Sequence, residues 1–155
     1  LSEPLAVASE GLTSHEKPKT HLLFVAHAPL ASAFRTLALH AFPDAAPDIT
    51  ASDIDEGLSI EDASDQLTAV LAQLDRPLLV LTDVLGATPA NALQQALRTR
   101  PEVPIVSGLN LAMIWRALGY RQEAPSKLGQ LASEGGTRSI ELHLKLHEPA
   151  QPDPC

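Results

Sequence analysis

The chain has one cysteine, Cys155, among its 155 residues. An intramolecular disulfide is therefore excluded, and a structural zinc site would lack its usual thiolates. Aromatic residues make up only 3%, too few for a base-stacking platform or a ring-stacking cofactor site. Basic residues are scarce too: 11 Lys and Arg stand against 19 Asp and Glu, a formal charge of −8. That balance argues against a nucleic-acid or anionic-membrane surface. No apolar run approaches the roughly 20 residues that cross a bilayer, so direct membrane insertion is not expected. Neither a Gly-x-Gly-x-x-Gly fingerprint nor a Walker loop is present, which leaves a nucleotide site unsupported. No cofactor is expected. What remains is an acidic, soluble, cytoplasmic domain.

Hydrophobic residues reach 45% and charged residues 19%, enough for a packed core of one domain. Residues 1–20 follow neither a helical nor an alternating period and read as a flexible N-terminal extension. Residues 148–155, with Pro149, Pro152 and Pro154, read as a disordered tail. The domain is expected over 21–147.

Within it, strands and helices alternate. His21–Ala26 is a nearly continuous apolar run, as in a strand buried on both faces. Leu30, Phe34, Leu37 and Ala41 then fall on one helical stripe, with Pro29 in the first turn. Ile49–Ile54 is a weaker strand. Ser59 and Asp62 cap a helix whose stripe is Ile60, Ala63, Leu67, Val70, Leu71 and Leu74. Leu78–Thr82 is the strongest strand, and Thr88-Pro89 reads as an N-cap opening a helix to about Thr99. Val103–Ser107 is a short strand, and Asn110 caps a helix carrying Leu111, Ile114 and Leu118. Ala124–Ser133 predicts a last helix, stopped by Gly135-Gly136. In Ser139–His147 the residues Ile140, Leu142, Leu144 and Leu146 alternate with polar ones, the pattern of a half-exposed, antiparallel edge strand. The expected fold is α/β in three layers: a mostly parallel four-stranded sheet, order 2-1-3-4, plus that edge strand.

In an open parallel sheet, ligands gather beyond the carboxyl ends of the strands where the strand order reverses. For order 2-1-3-4 the reversal lies between the first and third strands, which end at His27 and Asp83. Helices start beside both, at Pro29 and Thr88, each offering free N–H groups and a positive dipole end. One reading is a phosphorylatable histidine, its tautomer fixed by Asp83 and its phosphoryl oxygens held by the helix ends and the Thr88 hydroxyl. The other is a satisfied polar pair at a strand end.

The segments FVAHAPLASAF, LTDVLGATPANAL and IVSGLNLAMIWRAL resemble the IIA domains of the mannose family in the bacterial phosphoenolpyruvate-dependent sugar phosphotransferase system (PTS). The resemblance runs from about His21 to His147. It implies that His27 is phosphorylated by the phosphocarrier HPr and that Asp83 pairs with it. Gly86, Ala87 and Thr88 match the phosphate-holding turn, with Thr for the usual Ser and Ala for a frequent second Gly. Ala28 stands where Gly usually follows the histidine, and Ala112 where Pro is expected. The resemblance further implies onward transfer to a IIB protein or a regulatory target, and a homodimer in which the last strand is exchanged. Two alternatives stay open: the phosphocarrier subunit of a dihydroxyacetone kinase, and a regulatory protein-binding module without onward transfer.

Other residues carry less. His143 and His147 on a strand sit about 13 Å apart, too far to share a metal ion. Ser32 falls within a helix and lacks a nucleophile elbow. Asp44, Asp48, Asp53, Asp55, Glu56, Glu61 and Asp62 read as a solvated acidic face. Met113 and Trp115 read as packing residues rather than a ligand box.

Overall fold

In a computed structural model of the protein, residues 18–143 are described. Four parallel strands form one sheet: β1 (His21–His27), β2 (Ile49–Ile54), β3 (Leu78–Thr82) and β4 (Ile105–Ser107), in the order β2-β1-β3-β4. This is the expected sheet and strand order. β1 and β3 are central, and each is apolar on both faces because both faces are covered. Register sets Phe24 of β1 between Ala51 of β2 and Leu81 of β3.

Five helices cover the sheet: α1 (Leu30–Ala41), α2 (Ile60–Leu71), α3 (Thr88–Ala96), α4 (Leu111–Gly119) and α5 (Pro125–Arg138). Alternation along β1 and β3 splits the core in two. Leu22, Phe24, Leu79 and Leu81 pack with α1, α4 and α5, while Leu23, Val25, Leu78 and Val80 pack with α2 and α3. Each such buried side chain contributes about 1.5–3 kcal/mol relative to exposure. Ser59 and Asn110 cap α2 and α4 as expected, accepting from the N–H of Asp62 and of Met113. Among the described residues no helix is long and apolar enough to cross a membrane.

Several sequence expectations are corrected. The last helix does not stop at Gly135-Gly136 but runs through both to Arg138. A Cβ on Gly135 would lie 2.8 Å from Arg116 Cβ, and one on Gly136 would lie 2.9 Å from Asn110 Nδ2. These glycines let α5 cross α4 closely; they are contact residues, not stops. Ser139–His143 then forms no strand, and His143 stands apart from any metal-binding cluster among the described residues. Residues 144–147, the rest of the expected edge strand, lie outside the described residues, as do 1–17 and 148–155.

α1 is turned away from its expected face. Ala31 and Ala38 are buried and Phe34 is half-buried, whereas Leu30, Leu37 and Ala41 are exposed. Both arcs have helical spacing. The small alanines allow closer approach to β1 and β2, and Arg35 Nε donates to the Ile49 carbonyl at 3.1 Å, fixing the rotation. Ile60, placed on the α2 stripe, is likewise exposed.

The acidic residues are not one solvated face either. Asp48 is buried, accepting from Arg76 Nη1 at 2.9 Å and Arg121 Nε at 3.1 Å, while Arg121 also pairs with Asp44. Burial of this kind requires paired partners, and here they come from the loops before β3 and after α4.

Candidate functional site at the ends of strands β1 and β3

His27 is the last residue of β1, and Asp83 directly follows β3. The two meet as the strand order implied. Asp83 Oδ2 accepts the backbone N–H of His27 at 2.9 Å and lies 2.7 Å from its ring Nδ1. Oδ1 accepts the N–H of Val84 at 2.7 Å. The carboxylate is 7% exposed, while the imidazole is 48% exposed. Burial raises the Asp83 pKa. The His27 backbone and ring N–H, the Val84 N–H and the charge of His27 outweigh this and hold it below the usual carboxylate value. An ionised carboxylate only accepts, so the ring donates from Nδ1, and in the uncharged imidazole the lone pair is on Nε2.

The loop after Asp83 reverses through Gly86, whose φ of +84° favours a residue without Cβ. Ala87 N–H donates to the Val84 carbonyl at 3.2 Å, and Asn91 Nδ2 donates to the Gly86 carbonyl at 3.0 Å. Asn91 escaped sequence reasoning because nothing in its spacing links it to a turn five residues earlier. Thr88 is not the N-cap. Ala87 is, since its carbonyl accepts the first intrahelical bond, from Asn91 N–H at 3.0 Å. Thr88 is thus the first helical residue, half-buried, and α3 starts without a side-chain cap or an acidic residue in its first turn. Its N-terminus can accept an anion.

The second helix start differs from expectation. Pro29 precedes α1 rather than lying within it, and α1 likewise has no cap of its own. Its first turn is occupied instead by Asp53 of β2: Oδ1 accepts Ser32 N–H at 3.1 Å, and Oδ2 accepts the Ser32 hydroxyl. Ser32 is therefore a partner of Asp53, not a candidate nucleophile. Sequence reasoning had no signal for this contact, which joins different elements.

The loops at this end of the sheet are 28–29, 55–59, 83–87 and 108–110. They contain no Lys or Arg but carry Asp55, Glu56 and Asp83. Val84 and Leu85 beside Asp83, and Leu30 beside Pro29, are exposed. The site is therefore an imidazole on a buried carboxylate, among apolar side chains and acids.

Solved structures share this fold. A mannose/sorbose-specific IIA subunit of the phosphotransferase system from Enterococcus faecalis superposes with a TM-score of 0.75 at 25% identity, over 86% of this chain and 100% of that one. The PTS component EIIA from Streptococcus agalactiae gives 0.68 at 23% identity, over 79% and 95%. A sugar PTS permease structure from Klebsiella pneumoniae gives 0.65 at 26% identity, over 80% and 90%. No curated protein matches by sequence. The family model described as PTS system fructose IIA component, EIIA-man, matches residues 21–132. The chain belongs to the EIIA-man family of phosphotransferase-system IIA components.

Proposed function

We propose that the chain is a cytoplasmic IIA phosphocarrier that accepts a phosphoryl group from phospho-HPr on Nε2 of His27. It then passes the group to a IIB protein or presents it as a regulatory signal. The double contact of Asp83 Oδ2 with His27 carries this reading, because it fixes both the ring plane and the tautomer.

In the transfer step the Nε2 lone pair attacks phosphorus while the donor's N–P bond breaks, its electron pair returning to the donor imidazole. The His27 ring becomes cationic as the new bond forms, and the fixed Asp83 carboxylate stabilises that charge. Phosphoryl oxygens are taken by the α3 N-terminus, formed by Gly86, Ala87 and the N–H and hydroxyl of Thr88. Thr keeps the hydroxyl that a Ser would supply. The reverse step uses the same groups, as a carrier requires.

The surroundings suit a protein donor. Leu30, Val84 and Leu85 offer apolar contact, and the acidic, cation-free loops favour a partner with basic residues at its rim. We also assign the functional unit as a homodimer, because Ile140 and Leu142 are exposed after α5.

Incubation with phosphoenolpyruvate, Enzyme I and HPr tests the reading. His27 should acquire an acid-labile, base-stable phosphoramidate. His27→Ala should abolish labelling, while His15→Ala, His21→Ala, His40→Ala, His143→Ala and His147→Ala should keep it. Full labelling of His27→Ala would overturn the assignment. Labelling without transfer to any IIB protein would favour the regulatory role.

A further inference from the structure

We propose that Asp53 is a positioning residue that closes the α1 N-terminus to the phosphoryl group and so directs it to the α3 N-terminus. The inference rests on the phosphohistidine reading above. Two helices begin beside His27, and their first turns are alike in lacking a side-chain cap and an acidic residue. What separates them is a carboxylate brought in from β2. Both Asp53 oxygens are engaged by Ser32, the third residue of α1, through its N–H at 3.1 Å and through its hydroxyl. A carboxylate is the anion that a helix N-terminus attracts, and here it already sits in that place.

The placement is supported from the backbone. Asp53 lies opposite Ala26 in the β1–β2 register, and the next residue, Ile54, lies opposite His27. The Ile54 carbonyl accepts Ala28 N–H at 3.0 Å. Consecutive residues of β2 thus hold the chain on both sides of Pro29, one through backbone and one through its side chain. Asp53 cannot leave α1 without giving up both of its contacts to Ser32.

The charge has a second consequence. A phosphoryl dianion near α1 would face a fixed negative charge, whereas at α3 it meets N–H groups and a hydroxyl. Repulsion from Asp53 raises the free energy of the phosphorylated form and favours handing the group on. Asp53 is half-exposed, so the repulsion should be modest and screened by salt, roughly three- to tenfold in an equilibrium.

Asp53→Asn keeps the shape: one oxygen remains for Ser32 N–H, and the Ser32 hydroxyl can accept from the new amide. Ser32→Ala keeps the charge and the backbone contact while deleting the hydroxyl. Amide NMR with inorganic phosphate as probe reads the closure directly. In the wild type, phosphate should move the Ala87 and Thr88 amides and leave those of Ala31 and Ser32. In Asp53→Asn the α1 amides should respond as well, and Ser32→Ala should behave as wild type. In exchange with phospho-HPr, Asp53→Asn should shift the equilibrium toward the phosphorylated form three- to tenfold at low salt and less at high salt. A purely structural contact would not give that salt dependence. Phosphate shifts at Ala31 and Ser32 in the wild type would overturn the proposal, as would an Asp53→Asn protein unchanged in both readouts. So would a Ser32→Ala protein that reproduces Asp53→Asn. If His27 accepts no phosphoryl group in any of the proteins, the phosphohistidine reading itself fails, and the role assigned to Asp53 falls with it. The phosphate map then reports only whether the α1 end is closed.

Discussion

Asp83 binds one residue twice: its Oδ2 accepts from both the backbone N–H and the ring Nδ1–H of His27, at 2.9 and 2.7 Å. Strand end and side chain are therefore held by the same oxygen. Rotation of the imidazole costs a charge-assisted hydrogen bond without freeing the carboxylate.

Asparagine at this position cannot reproduce the arrangement. Oδ2 serves two donors and Oδ1 serves Val84 N–H at 2.7 Å, so an amide nitrogen on either side would face another donor. If it faces the ring, Nδ1 must become the acceptor and Nε2 takes the proton, which removes the nucleophilic lone pair. Asp83→Asn should fold yet transfer phosphoryl groups about 10²–10³-fold more slowly, roughly 3–4 kcal/mol of transition-state stabilisation. Rapid-quench transfer from phospho-HPr measures this. A wild-type rate would reduce Asp83 to a bystander.

His21 at the start of β1 predicts a pH dependence of stability. Arg76 Nη2 donates to His21 Nδ1 at 2.6 Å, and His21 Nε2 lies 2.9 Å from Thr50 Oγ1. A guanidinium cannot accept, so the ring is neutral, with its proton on Nε2. Burial and then the Arg76 charge lower the His21 pKa below 6.5, with Asp48 opposing. Above 6.5 neither folded nor unfolded His21 is charged, and there is no effect. As pH falls below 6.5, the unfolded chain takes the proton first and stability declines until the folded pKa is passed. Urea unfolding at steps from pH 7.5 to 5 should show this decline, and His21→Gln should flatten it. Parallel profiles for the two proteins would remove His21 as the cause.

The parts read correctly from sequence are those set by local pattern. Leu78–Thr82 is a continuous apolar run between Pro77 and Asp83, and the structure gives that strand at those bounds. His27 and Asp83 could be brought together because the rule for parallel sheets needs only strand ends and strand order. Features that depend on which of two locally equivalent choices packs better were not legible. The α1 stripe of Leu30 and Leu37 and the arc of Ala31 and Ala38 have the same period, and only the sheet beneath chooses. Gly135-Gly136 looks like a helix stop unless the nearness of α4 is known. Asp53 looked solvated because its partner is 21 residues away on another element.

The crossing of α4 and α5 gives a direct test. A Cβ on Gly136 would meet Asn110 Nδ2 at 2.9 Å and Met113 Cβ at 3.2 Å. Asn110 is not free to move, since its Oδ1 caps α4 through Met113 N–H at 3.0 Å. Alanine gains about 0.5–1 kcal/mol of helix propensity, but overpacking typically costs about 1–3 kcal/mol. Gly136→Ala should be destabilised by about 1–2 kcal/mol, equivalent to a Tm lower by roughly 3–8 °C. An equal or higher Tm would mean that α4 and α5 can part far enough to admit a methyl group, and that the close crossing does not require glycine.

Assembly can be tested at the end of α5. Ile140 is 79% exposed and Leu142 is 82% exposed, and neither gains cover within the described residues of a single chain. Separately, β4 pairs with β3 on one side only among the described residues, and Pro104, Val106 and Gly129 line a groove between β4 and α5. An open strand edge next to apolar side chains favours association, and a second copy supplies both by symmetry. Light scattering should therefore give a dimer for the full chain. Deleting residues 140–155 keeps α5 and its contact with α4 intact, so the truncated protein should fold and lose the dimer. Ile140→Ser with Leu142→Ser should weaken association less completely, since the open β4 edge remains. A truncated protein that stays dimeric would place the subunit contact elsewhere, and a monomeric full-length chain would reject the homodimer.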